Sequence, residues 1–276
     1  MFRHYISVQL IQAVTTSLLI CISGIAGAEE GFPGRAKFKD VPYIELHDLF
    51  GKKNSVVIVD VRSKYEYDTL RIKNAVNLPV ANKIFETQVL DLRRSTDKPI
   101  VFYCNGHRCL KSYQAVKKAQ EAGVSNTMAY DGGIFDWTLA YPADAELLGQ
   151  SPVNPKKLIG SKAYQSRLLN PDVFSESVDR FRNQAIVLDV RDKFQRAGVG
   201  FYPGLEKWAS LDDKQKLNRY IDIARRENKT LYIYDEVGSQ VRWLQYALEK
   251  AGVKKYYFME KGARAYYDML AKLEWH

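Results

Sequence analysis

Cysteine is scarce. Among 276 residues there are three, and Cys21 lies in an apolar stretch near the N-terminus, which leaves Cys104 and Cys109 for the body of the chain. A structural disulfide framework needs more thiols than that, and a chain this long builds a core without one. Histidine is scarce as well, at four. Zinc requires two further ligands and no nearby Cys/His pair supplies them, so neither a metal nor any other cofactor is expected. The chain also lacks a long Lys/Arg block. Its formal net charge is +9, yet basic and acidic residues interleave and read as solvated faces. Despite 18 tyrosines, no aromatic–basic alternation marks a base-stacking surface, and nucleic acid is not an expected partner. What this economy leaves is a reactive thiol site.

The first residues carry an address. Arg3 and His4 precede an apolar stretch that closes in "LLICISGIAGAEE". Ala26 and Ala28 give the small-x-small pattern of a secretory cleavage site, so residues 1–28 are expected to be a signal peptide cut after Ala28. Ile20 stands where lipid attachment at Cys21 requires a small residue. Gln9, Gln12, Thr15 and Thr16 dilute the apolar stretch, although an uncleaved membrane anchor is the alternative reading. The expected location is a bacterial periplasm.

The remainder repeats itself. "IVDVR" at 58–62 returns as "VLDVR" at 187–191, "AGV" at 122–124 returns at 251–253, and Gly133 is matched by Gly262. All three pairs share the offset 129, which points to a duplicated unit. In each copy a short β-branched run ends in Asp-Val-Arg. A second run follows (Ile100 to Tyr103; Leu231 to Tyr234), then a helical pattern, then a third run ending before glycine (Thr127 to Tyr130; Tyr256 to Met259). Ala115, Ala119 and Ala122 mark the first helix, and Leu244, Ala247, Leu248 and Ala251 the second. The expected fold is α/β: two three-layer domains, 29–150 and 151–276, each a central mostly parallel sheet with helices on both faces. The Pro-, Gly- and Lys-bearing segment 149–165 suits the linker.

Parallel sheets bind ligands at the carboxyl ends of their strands, and Cys104 stands at such an end. From there to Cys109 the chain makes a six-residue turn, and a helix begins near Leu110. Curled around the sulfur, that turn aims backbone N–H groups at it, and the helix adds the positive end of its dipole. Together they stabilise a Cys104 thiolate. Gly106 permits the inward turn, while His107, Arg108 and Lys111 bring positive charge to the mouth and favour an anionic substrate.

"DVRSKYEYDTLRIKNAVNLP", the strand–Cys–loop–helix and "YDGGIFDW" occur in that order, and together they resemble the rhodanese family of sulfurtransferases, here in tandem form. The resemblance covers Val41 to Trp137 strongly and Ala185 to Asp268 weakly. The family's Gly-His is Leu70-Arg71 here and a usual glycine is Asn74; Arg71 keeps a cation near the expected mouth. By resemblance, Cys104 takes a sulfane sulfur from an anionic donor such as thiosulfate or a polysulfide and becomes a persulfide. Cyanide or a thiol then removes the sulfur. Asn105, Gly106, His107, Arg108, Cys109, Lys111 and Arg71 are the expected substrate-binding residues, with Asp60 and Arg62 behind them. The pair Asp189 and Arg191 persists in the other copy, which points to a structural role for Asp60 and Arg62. Phosphatases and arsenate reductases of this fold place Arg six residues after Cys; here that position is Leu110.

Cys109 reads two ways, as an incidental loop residue or as a resolving thiol that closes a disulfide on Cys104. The second reading opens a redox alternative, acting on sulfur, selenium or tellurium oxyanions with a periplasmic redox partner. A further alternative is a sulfur carrier or docking protein without enzymatic activity. In the second copy Asp235 replaces Cys104, the loop is expected to be two residues shorter, and Asp235 and Glu236 are expected to repel an anion. That copy is expected to be inactive, the reverse of the arrangement in familiar two-domain members.

Overall fold

A computed structural model describes residues 31–196 and 200–273. The expected signal peptide and Cys21 lie outside the described residues.

The strands are β1 (Val57–Asp60), β2 (Leu70–Ile72), β3 (Val76–Asn77), β4 (Ile100–Tyr103), β5 (Thr127–Tyr130), β6 (Ala145–Leu147), β7 (Leu168–Leu169), β8 (Ala185–Asp189), β9 (Glu206–Trp208), β10 (Thr230–Tyr234) and β11 (Tyr256–Met259). The helices in the first half are α1 (Pro33–Lys37), α2 (Leu46–Lys52), α3 (Lys64–Thr69), α4 (Phe85–Ser95), α5 (Lys111–Glu121) and α6 (Gly133–Ala140). Those in the second are α7 (Ser161–Gln165), α8 (Pro171–Arg180), α9 (Lys214–Arg226), α10 (Val241–Lys250) and α11 (Gly262–Leu273).

Two parallel sheets form, one in order β3-β1-β4-β5 and the other β9-β8-β10-β11-β7. Their centres correspond strand for strand, and the register repeats: Asp60 lies opposite Tyr103 as Asp189 lies opposite Tyr234. Where β7 edges the second sheet, the first has only a bridge from Tyr43 to Ala129. A separate antiparallel ribbon joins β2 to β6 and sets Arg71 opposite Glu146.

β4 and β8 are buried along their whole length, because helices cover both faces and leave no reason for polar alternation. The two faces nevertheless serve different cores. Val59, Val61, Ile100 and Phe102 pack in a cluster confined to the first half, and Val187, Tyr232 and Tyr234 in one confined to the second. Ile58, Val101 and Tyr103 share a third cluster with Ile186, Leu188, Leu231 and Ile233, so one apolar core runs through both halves. α10 shows the consequence: Val241, Trp243, Leu244, Gln245, Tyr246 and Leu248 are all buried, more than one helix face can account for.

Candidate active site

Cys104 follows the last residue of β4 and is 0% exposed. The loop runs to Leu110, which caps α5. Within it Cys104 and Cys109 form a disulfide with Cα atoms 6.4 Å apart. The Cys109 N–H donates to Gly106 O at 2.8 Å, closing the turn that brings the two sulfurs together. Cys104 Sγ also lies 3.8 Å from Ser112 Oγ. The structure thus brings the two sulfurs together, and the thiolate expected from the sequence is the reduced state of this pair.

Buried charge lies behind the loop. Arg62 donates from its backbone N–H and Nε to Asp60 Oδ1, both at 2.9 Å, and from its guanidinium to Asp60 Oδ2 and Leu70 O. Burial works against the Arg62 charge, but Asp60 outweighs it and the guanidinium titrates above its ordinary value. Arg62 Nη1 reaches Asn105 Oδ1 at 3.3 Å, and Asn105 Nδ2 donates to Glu66 Oε1 at 3.0 Å. The Asn105 side chain is therefore held by two buried charged groups, Arg62 and Glu66.

α6 supports the loop from the other side. Ile134 N–H donates to Cys104 O at 3.1 Å. Gly133 takes φ 72°, and a Cβ there would stand 2.3 Å from Gly106 N. Only glycine lets the loop backbone approach this closely.

The expected cations separate into three settings. His107 Nε2 is 2.7 Å from Asp136 Oδ2 and its ring stacks on Phe32, so it is tied to α6. Arg108 is exposed, with no ion pair among the described residues. Lys111 starts α5, close enough for its charge to act on Glu66. Arg71 does not join them. It sits on the β2–β6 ribbon, paired with Glu146 and lying over the Tyr67 ring.

In the second half, Asp235 follows β10 as Cys104 follows β4, and Ala263 N–H binds its carbonyl as Ile134 N–H binds that of Cys104. Its side chain turns inward. The Val237 and Gly238 N–H groups donate to Oδ1, and those of Gln240 and Val241 to Oδ2 at 2.5 and 3.1 Å. Four amides thus converge on one anion, and Asp235 is 3% exposed. The carboxylate occupies the cradle rather than repelling a ligand from its mouth. Glu236 instead faces Arg264 and Arg191, at 3.5 and 3.8 Å. Of the two residues missing from this copy, one comes from the loop and one from the helix: 235–240 against 104–110, and Val241–Lys250 against Lys111–Glu121.

A cleft of ≈ 700 Å³ opens between the halves. Its walls include matching positions of the two copies, Val61 with Val190 and Ser63 with Asp192, together with Lys111 and Gln240. Among the described residues, no three or more His, Cys, Asp or Glu side chains gather as a metal site. The sequence reading passed over Glu66 and Trp243. Ser63-x-x-Glu66 is a capping-box signal that marks Glu66. Nothing local marks Trp243, which reaches Arg62 from the other half.

Residues 43–140 match the family model Rhodanese, a rhodanese-like domain. The thiosulfate:glutathione sulfurtransferase of Saccharomyces cerevisiae is 27% identical over 121 residues, covering 40% of this chain and 86% of that enzyme. The HTH-type transcriptional regulator Rv0324 of Mycobacterium tuberculosis is 35% identical over 85 residues, which is 31% of this chain. The match spans 35% of that regulator's length. Among solved structures, a thiosulfate sulfurtransferase from Pseudomonas aeruginosa aligns with TM-score 0.36 and 19% identity over 84% of this chain and 43% of that one. The sequence matches support a rhodanese-like domain at residues 43–140, with sulfurtransferases among its relatives.

Proposed function

We propose that this protein is a tandem rhodanese, with domains meeting near residue 150, that moves sulfane sulfur through Cys104. The observation that carries the reading is the Cys104–Cys109 pair in a strand-end loop inside the 43–140 match. With the disulfide reduced, the Cys104 thiolate attacks the outer sulfur of thiosulfate. A Cys104–sulfur bond forms, the sulfur–sulfur bond of the donor breaks, and sulfite leaves with the electron pair. Cyanide then attacks the outer sulfur of the persulfide, and thiocyanate leaves as the Cys104 thiolate returns. The exposed Arg108 and the half-buried Lys111 suit an anionic donor.

The disulfide favours a second outcome at the same site. The Cys109 thiolate attacks Cys104 Sγ of the persulfide, hydrosulfide leaves, and the two cysteines are oxidised as the sulfane sulfur is reduced. A thiol or dithiol partner must then reduce the pair. In this reading the Asp235 half takes no sulfur, and the protein works in the periplasm.

Thiocyanate formation from thiosulfate and cyanide tests the proposal on dithiothreitol-reduced protein. Cys104→Ser should abolish it and Cys109→Ser should leave it in place. Without cyanide, hydrosulfide release should require Cys109. If intact mass after thiosulfate shows no gain of sulfur on Cys104, no thiocyanate forms and no hydrosulfide is released, sulfur transfer is excluded. Gain of sulfur that no acceptor removes marks a carrier instead.

A further inference from the structure

The two Asp-Val-Arg arginines are housed alike, but their walls have different sources. Arg191 packs against the adjacent rings of Phe201 and Tyr234, with Cζ 5.1 and 5.3 Å from their centroids, and both rings belong to its own half. Arg62 has Tyr103 of its own half at 5.6 Å, and at 5.0 Å the indole of Trp243 on α10 of the other half. Arg62 is fully buried and Trp243 is 2% exposed. The half that carries the cysteines therefore borrows one wall of its buried guanidinium.

Trp243 touches a second support as well. Its ring stacks on Phe135 of α6, centroids 5.6 Å apart and planes 21° from parallel. α6 is the helix whose Gly133 abuts Gly106 and whose Ile134 N–H holds the Cys104 carbonyl. One side chain from the cysteine-free half thus reaches both structures that shape the Cys104 loop: Arg62, which acts through Asn105, and α6.

We infer that Trp243 is a positioning residue for Cys104, and that setting the reactive loop is a task of the second half. A guanidinium held against an indole face in a dry site gains electrostatic attraction and is kept from water. Without that face, water solvates Arg62. Its 3.3 Å bond to Asn105, the longest of its set, is the first to go. The loop then loses the clamp that holds its first turn. The inference rests on Cys104 being the reactive atom, and not on sulfur being the group it carries.

The test measures thiol reactivity. In the full chain with Cys21→Ser and Cys109→Ser, a single thiol remains, and its iodoacetamide alkylation rate is followed against pH. Trp243→Phe keeps an aromatic face, whereas Trp243→Leu fills much of the space without one. The Phe variant should track the parent. The Leu variant should react about three- to tenfold more slowly at neutral pH, with its midpoint moved up by about half to one pH unit. Superimposable Leu and parent profiles overturn the inference. Equal losses in Leu and Phe overturn it too, since they mark shape rather than the ring face. No sulfur donor enters this assay, so failure of thiocyanate formation and failure of this inference are read separately.

Discussion

Glu66 ties the start of α3 to the cysteine loop through one carboxylate. Oε2 accepts from the Ser63 backbone N–H at 3.0 Å and from its hydroxyl at 2.9 Å, while Oε1 accepts from Asn105. Burial opposes ionisation, but the charges of Arg62 and Lys111 and the Asn105 and Ser63 donors outweigh it, holding the carboxyl below its ordinary range. A carboxyl depressed in the folded state contributes stability that is present above its unfolded value, about 4.3, and is lost as pH falls through the folded value. Glu66→Gln should therefore lower unfolding stability by about 1.5–3 kcal/mol at neutral pH. The gap between parent and variant should close once the solution is more acidic than the folded value. Urea unfolding across the acid range checks this, and a gap that persists in acid would assign the effect to packing rather than charge. The capping half of this arrangement is legible in Ser63-x-x-Glu66. The Asn105 half is not, because nothing local in the sequence brings residue 105 to residue 66.

At the scale of the element, a strand, a curled loop and a helix are used twice with different contents. Around Cys104 the loop encloses a disulfide; around Asp235 it encloses a carboxylate that accepts from four backbone N–H groups. Asp235→Ala leaves those donors without an acceptor. The variant should lose at least about 1–3 kcal/mol of stability. Sulfate or thiosulfate should raise its melting temperature by more than the parent's, because only the variant has an empty cradle in the second half. If neither anion stabilises the variant, the loop does not bind anions and the parallel with the Cys104 loop fails. The strands that frame these loops were legible as β-branched runs ending in Asp-Val-Arg, and so was the strand-end position of Cys104. The direction of the Asp235 side chain was not, since a carboxylate at a mouth and one inside a nest read the same in sequence. The pairing of Arg71 was hidden for a related reason. Its partner Glu146 lies 75 residues away on a three-residue strand, too short to leave a periodic signal.

The whole molecule is divided by sequence more sharply than by packing. Periodicity reports which residues of a helix face some core, and α10 was read that way from Leu244 and Leu248. That Trp243 and Tyr246 are buried as well follows only once the other half is in place, and Lys214 pairs with Asp68 across the same junction at 2.5 Å. Two sheets that share one apolar cluster should not unfold separately. If the shared cluster that holds Ile58 and Tyr103 with Leu188 and Ile233 is split, each half exposes the core face it was keeping dry. Calorimetry should then show one transition whose calorimetric and van't Hoff enthalpies agree. Leu188→Ala, a truncation in the shared cluster costing about 2–5 kcal/mol, should move that single transition down without splitting it. Cys104 alkylation in the reduced protein should rise at the same temperature as loss of second-half structure. A profile that splits in two, with Cys104 still protected after the second half has melted, would show that the cysteine half stands alone and needs nothing from its neighbour.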